Sequence, residues 1–334
     1  MSKRDNYVFR YLDSEEFTLW DDFNKECENG TIFQSTSHLK CFAQALNLNF
    51  TVLAIFNNDN FIVAGMAFLY NTKLGIKYIY NPALTPFYSP VFKASVKKYL
   101  SKSESYNMSM ITLIIEELSK EYKILNFALP VNQPDIRPYK WLGFHHEVMY
   151  TYKIKFEKNL SNIDYESDIK RRIKNAQELN FEIKSGVEKK QIDDYYLLQK
   201  KTDKRQNISF VFNPEQFENY INEMSKTGSA IIYIIYNDNL PVSGVVVLIE
   251  QETAYYLLAA TDSDYFSTGL NQTLFDHIVK DLYKKGILYY DLVGANTPTI
   301  ARFKSTYNFP LVPYYVVSKN IGMIPDLLMK LKNR

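Results

Sequence analysis

The chain has 334 residues, 46% of them hydrophobic and 23% charged, with a net charge of +2 at pH 7. These values exclude a disordered polypeptide, give no strong push toward nucleic acid or an anionic membrane while leaving room for a local basic surface, and at this length predict two domains. Cys27 and Cys41 form neither a disulfide framework nor a metal spacing, and no apolar run approaches the ~20 residues that a membrane span needs.

The N-terminus MSKRDNYVFR lacks the apolar core of a signal peptide, so a cytoplasmic location is expected. Residues 13–28 read as a helix capped by Asp13 or Ser14, and 36–46 as a second helix. Strands are expected near 50–56, 61–70 and 73–80, followed by a helical stretch over 94–120 with a break near 103–107. Strands near 123–129 and 144–156 flank a short helix at 135–142, and the polar stretch 157–165 reads as a join.

The second half opens with helix 166–179 and the strand FEIK, then helices near 188–203 and 214–225 and strands at 229–236, 241–250 and 253–260. Helix 269–285 places Leu270, Leu274, Ile278 and Leu282 on one stripe and ends at Gly286. Strand 287–292, a helix over 298–306 opened by Thr297 and Pro298, strand 311–318 and an amphipathic helix at 324–332 complete the chain.

The halves repeat one another. Residues 57–70 read NNDNFIVAGMAFLY and residues 236–249 read YNDNLPVSGVVVLI, each with an Asn-Asp-Asn turn between apolar strands. Downstream, RPYKWLGF and ARFKSTYNF occupy matching places, so Lys140 in the first copy stands where Lys304 stands in the second. The expected architecture is α/β (α+β), with a mixed, mainly antiparallel central sheet flanked by helices in each of two tandem domains, 1–156 and 157–334.

This order of elements is similar to the GNAT N-acetyltransferase superfamily, which makes the expected domains GNAT-like. Within it, SDIKRRIKNAQELNFEIK resembles the basic helix that opens the second domain of the Fem-type peptidoglycan aminoacyltransferases and their FemAB-like relatives. AYYLLAATDSDYFSTGLNQTLFDHIVKDLYKKGILYYDLVGAN resembles their central strand, loop, helix and strand, IARFKSTYNF their terminal Phe-Lys segment, and TIFQSTSHL the opening segment of their first domain. The resemblance implies acyl transfer from a carrier, coenzyme A or acyl carrier protein, to an amine-bearing sugar or peptide precursor, in cell-envelope or polysaccharide synthesis. An aminoacyl-tRNA donor stays open, although the chain lacks the long charged heptad hairpin of some Fem enzymes. A non-catalytic binding module with two degenerate copies is the reading from another class.

Acyl transfer needs a neutral attacking amine, donors for the oxyanion and an anion site for the carrier. Ser267, Thr268, Gly269, Leu270, Asn271 and Gln272 open a helix whose free N–H groups suit phosphate, and a plain helix cap competes with that reading. In GNAT enzymes this place holds the coenzyme A pyrophosphate. Lys304 is the leading catalytic candidate, as a cation for an oxyanion or phosphate. Asp291, in an apolar strand, is a candidate base or orienter, with Asn296 in the loop beside it. Arg171 and Arg172, with Lys170 and Lys174, form a basic helical face for phosphates or carboxylates, and Lys140 and Tyr256 complete the substrate-binding set. His145 and His146 are adjacent on a strand and point apart, so no metal site and no tightly bound cofactor are expected.

Overall fold

A computed structural model describes residues 6–95, 97–156 and 163–321. The chain divides into two compact units, Met1–Val148 with Tyr314–Arg334, and Met149–Pro313. The expected C-terminal helix and most of the join at 157–165 lie outside the described residues.

Unit 1 contains β1 (Val8–Tyr11), α1 (Phe17–Glu26), α2 (Thr36–Leu46), β2 (Asn49–Phe56), β3 (Ile62–Lys73), β4 (Ile76–Tyr80), β5 (Val91–Phe92), α3 (Leu100–Glu121), β6 (Ile124–Ala128) and α4 (Arg137–Trp141). Its strands pair in the order β1–β2–β3–β4–β6, with β5 on β3; only β4–β6 is parallel. The far half of β13 (Leu311–Asn320) pairs antiparallel with β6, Val316 opposite Ala128.

The long helix differs from its sequence reading. It begins at Leu100 rather than near 94, because Val91 and Phe92 pair with β3 and the Lys93 N–H donates to the Val63 carbonyl. It is also unbroken. The polar residues that read as a break hold the preceding loop, since Ser103 Oγ accepts from the Lys97 N–H and Asn107 Oδ1 from the Ser95 N–H.

Unit 2 contains α5 (Ser167–Ala176), β8 (Phe181–Gly186), α6 (Lys189–Gln206), α7 (Pro214–Ser225), β9 (Ala230–Asn237), β10 (Leu240–Glu250), β11 (Thr253–Thr261), α8 (Leu270–Lys284), β12 (Tyr289–Asp291) and α9 (Pro298–Ser305). Strands pair in the order β8–β9–β10–β11–β12, and the end of β7 (His145–Lys155) lies antiparallel to β12. Only β11–β12 is parallel. Each unit thus carries a mixed, mainly antiparallel sheet with helices against it.

The repeat breaks in sequence near 156/157, whereas the compact units divide at 148/149 and 313/314. The cause is strand pairing: Lys153, Ile154 and Lys155 of β7 pair with β12, and Val316–Asn320 of β13 pair with β6.

The copies share one packing device. A Cβ on Gly65 would overlap the Leu53 carbonyl oxygen and come within 2.8 Å of the Trp20 ring of α1. A Cβ on Gly244 would meet the Tyr195 ring of α6 at 2.9 Å. In both copies the glycine after the Asn-Asp-Asn turn lets an aromatic ring from the last helix but one before the hairpin lie on the strand. The predicted stripe of α8 is buried, and each of Leu270, Leu274, Ile278 and Leu282 contributes about 2 kcal/mol of apolar burial.

Candidate active site

β11 and β12 run side by side only over Thr253–Tyr255, while β11 continues to Thr261. β12 stops at Asp291, and Val293 and Gly294 then take left-handed backbone (φ 51° and 66°), turning the chain away. Along the free part of β11 the register with β10 slips, so Leu257 has no partner residue between Tyr256 and Leu258. The parallel pair therefore opens just past Tyr255, beside Tyr256.

Lys304 and Asp291 both bond the turn at this opening. Lys304 comes from α9, is 8% exposed, and has its ammonium enclosed by backbone. Its Nζ donates to the carbonyls of Leu292 (2.5 Å), Val293 and Gly294 (2.8 Å). The left-handed residues aim these consecutive carbonyls at one point. Burial lowers the Lys304 pKa to about 8, and the negative charge of Asp291 opposes that shift. The Tyr256 ring centroid is 5.9 Å from Nζ.

Asp291 is fully buried. Its Oδ1 accepts from Thr151 Oγ1 (2.5 Å) and the Val293 N–H (2.9 Å), while Oδ2 has no protein donor. Burial raises its pKa, against the hydrogen bonds from Thr151 and Val293 and the charges of Lys153 and Lys304. A buried carboxylate with an unfilled acceptor and a buried lysine with a depressed pKa make a pair that can exchange a proton with a bound group.

Asn296 has a different place. Its Oδ1 accepts from the Tyr150 N–H (2.8 Å) and its Nδ2 donates to the Tyr150 carbonyl (3.2 Å). The side chain copies a strand edge and continues the β12–β7 pairing through the loop, which makes it a clamp on the Lys304 carbonyls.

The start of α8 is only partly open. Gly269 caps it with left-handed backbone (φ 85°), and a Cβ there would overlap the Arg172 carbonyl oxygen of α5. The Leu270 N–H is taken by Thr268 Oγ1 (3.3 Å), and Leu270 is buried. Ser267 is exposed and Asn271 partly so, and the N–H groups of Asn271 and Gln272 are first-turn donors that the helix itself does not use. Gln272 is buried with no partner for its side-chain Oε1.

The basic face of α5 is largely matched internally. Arg171 and Arg172 both pair with Asp168, and Lys170 pairs with Asp164. Arg172 also donates to the Phe266 carbonyl (3.4 Å), stitching α5 to the segment before α8. Lys140 lies in unit 1, exposed on α4.

Tyr307, which sequence reasoning missed, links these parts. Its ring stacks on Phe275 of α8 with centroids 3.7 Å apart, its hydroxyl has no partner, and the charge of Arg172 reaches it. Its signal in the sequence is a position one helical turn after Lys304. Thr151 had none, since strand pairing alone sets it against Asp291. Among the described residues no cluster of His, Cys, Asp and Glu could hold a metal ion, and no helix is long and apolar enough to cross a membrane.

Residues 164–305 match the acetyltransferase (GNAT) domain family, a span that includes Asp291, Lys304 and the α8 start. FemX superposes with a TM-score of 0.72 at 14% identity, covering 98% of this chain and 100% of that one. L-PGS from Bacillus licheniformis superposes at 0.61 with 11% identity, covering 96% of each chain. A tandem GNAT protein from the clavulanic acid biosynthesis pathway superposes at 0.51 with 8% identity, covering 95% and 99%. No curated protein sequence matches the chain. The fold over the whole chain is thus that of FemX and of a tandem GNAT protein, and residues 164–305 match the GNAT domain family.

Proposed function

We propose that the chain is an N-acyltransferase that moves an acyl group from a thioester carrier to the amine of a sugar or peptide precursor in cell-envelope or polysaccharide synthesis. The observation that carries this reading is the buried Lys304–Asp291 pair at the opening between β11 and β12. In the proposed step the free Oδ2 of Asp291 takes the proton of the attacking amine. Lys304, releasing one of the three carbonyl bonds that occupy its N–H groups, then gives a charged hydrogen bond to the oxyanion of the tetrahedral intermediate, which collapses with cleavage of the C–S bond, and the departing thiolate takes the proton that Asp291 accepted. Tyr256 and Tyr307 line the acyl side, and the first-turn N–H groups of Asn271 and Gln272, with the Ser267 hydroxyl, are the groups for carrier phosphate. Asn296 supports the step by holding the loop.

Thermal shift with coenzyme A, acetyl-CoA and acylated acyl carrier protein tests the reading, because a ligand that binds only the folded state raises its melting temperature. A shift that disappears in Asn271→Pro supports it. No shift with any thioester carrier sinks it.

A second reading uses an aminoacyl-tRNA donor, and the full-length likeness to FemX favours it. The internal pairing of the α5 cations weakens it, since few remain to release counterions from phosphate. Steeply salt-dependent tRNA binding, lost on Lys174→Glu, would move the assignment to this donor. If no carrier of either kind binds, a non-catalytic role for both copies stands.

A further inference from the structure

In the repeat, α3 of unit 1 holds the place that α8 holds in unit 2. The helix that covers the α8 start, α5, has no counterpart in unit 1 among the described residues. The start of α3 instead opens on a groove of about 550 Å³, whose wall includes Tyr7, Tyr106, Met110 and Leu113.

Lys97, Lys98 and Lys102 line the same groove. Elsewhere in unit 1 Lys77, Lys93, Lys120 and Arg137 each pair with a carboxylate; among the described residues these lysines do not. The first turn of α3 holds no acidic residue. Beside the lysines, Tyr99 is 61% and Leu100 81% exposed.

We propose that this face of unit 1 rests on an anionic membrane surface. Lys97, Lys98 and Lys102 would sit at the level of lipid phosphates, with Tyr99 and Leu100 at the acyl boundary. Charge complementarity selects an anionic partner, because several unmatched cations stand together. The shape selects a lipid surface over a folded or peptide partner. Leu100 lies outside the groove lining and stands clear of it, which suits insertion into a fluid phase more than a fit to a rigid surface. Tyrosine beside lysine is the pairing that interfaces favour, with a ring in the boundary and a cation in the headgroups. The inference is independent of the acyl-transfer reading.

Co-sedimentation of the full chain with vesicles tests it, comparing phosphatidylcholine alone with phosphatidylcholine mixed with phosphatidylglycerol. Binding is expected only to the anionic vesicles and is expected to weaken with salt. Each lysine is worth about fivefold at a charged surface, so the K97Q/K98Q/K102Q variant is expected to bind on the order of a hundredfold more weakly. The Y99S/L100S variant is expected to lose about tenfold or more at unchanged charge. All five positions are exposed, and matching urea transitions will confirm that the variants fold. Equal binding to neutral and anionic vesicles, or an unaffected triple variant, overturns the proposal. So does calorimetric binding of inorganic pyrophosphate at these lysines without vesicle binding, which would assign the groove to a soluble phosphate ligand.

Discussion

Replacing Lys304 by Met separates the cost of its buried charge from its use. In the folded chain the ammonium holds its proton with a pKa of about 8, against an ordinary 10.5, because burial disfavours the cation. Below pH 8 both folded and unfolded chains carry the proton, and the full cost is present. Between pH 8 and 10.5 the folded chain has lost the proton while the unfolded chain still binds it, so stability rises with pH; above 10.5 the cost is gone. Integrated over that window, the wild type is expected to gain about 2.5 kcal/mol relative to Lys304→Met, whose Met does not titrate. Urea unfolding of both proteins at a series of pH values from 8 to 10.5 measures the difference, with the many tyrosines common to both. At neutral pH the variant leaves the Leu292, Val293 and Gly294 carbonyls without their donor, which offsets part of the charge relief. Transfer activity at pH 7 is expected to fall by on the order of a hundredfold or more, the effect of losing an oxyanion donor. A stability difference that stays flat across the window would show that Lys304 keeps an ordinary pKa, and the proton-donor argument would fall with it.

Asp291→Asn is expected to fold, to keep an acceptor for Thr151 Oγ1, and to slow transfer by about a hundredfold while removing the acid limb of the pH–rate profile; an unchanged acid limb would clear Asp291 of the base role. Gly269→Ala forces a Cβ against the Arg172 carbonyl from left-handed backbone, and a loss of about 2–4 kcal/mol in urea unfolding is expected; a loss under ~0.5 kcal/mol would mean that α5 does not sit on the α8 start. His38 is fully buried with its pKa lowered to about 3 by burial, so its native state resists protonation. Stability should fall as pH drops from 6.5 toward 3, and His38→Gln should flatten that fall; an imidazole that titrates near 6.5 by NMR in the folded chain refutes this.

Periodic features were legible in the sequence. The hairpin repeat, the α8 stripe and the Thr297-Pro298 helix start all lie where local pattern and local chemistry agree. Asp291 was legible because an acid in an apolar strand breaks the local pattern, and Lys304 because its segment resembles the Fem-type Phe-Lys segment and matches Lys140 in the repeat. What the acid and lysine do to one another was not legible, since it depends on a loop whose left-handed Val293 no propensity indicates. Thr151 was invisible for the same kind of reason: it lies 140 residues away along the chain and reaches Asp291 only through the β7–β12 pairing. A break in α3 was expected because Ser103 and Asn107 look like helix breakers, yet their side chains bond the preceding loop and leave the helix intact.

Lys140 and Lys304 show how far a repeat can carry a functional assignment. Both stand at the same point of the strand–helix–strand that ends each copy, and Lys140 is exposed while Lys304 is buried. The difference lies in the loop before the helix. In unit 2 it has left-handed Val293 and Gly294 and an Asn296 clamp, and it presents carbonyls inward. In unit 1 the loop has Pro130 and Pro134 and no residue with positive φ, so no such ring of acceptors forms. Without it a buried ammonium would cost several kcal/mol, and the lysine stays in solvent. The scaffold is therefore duplicated at the level of glycines and ring packing, whereas the proposed chemistry depends on a six-residue loop that only one copy carries, residues 292–297.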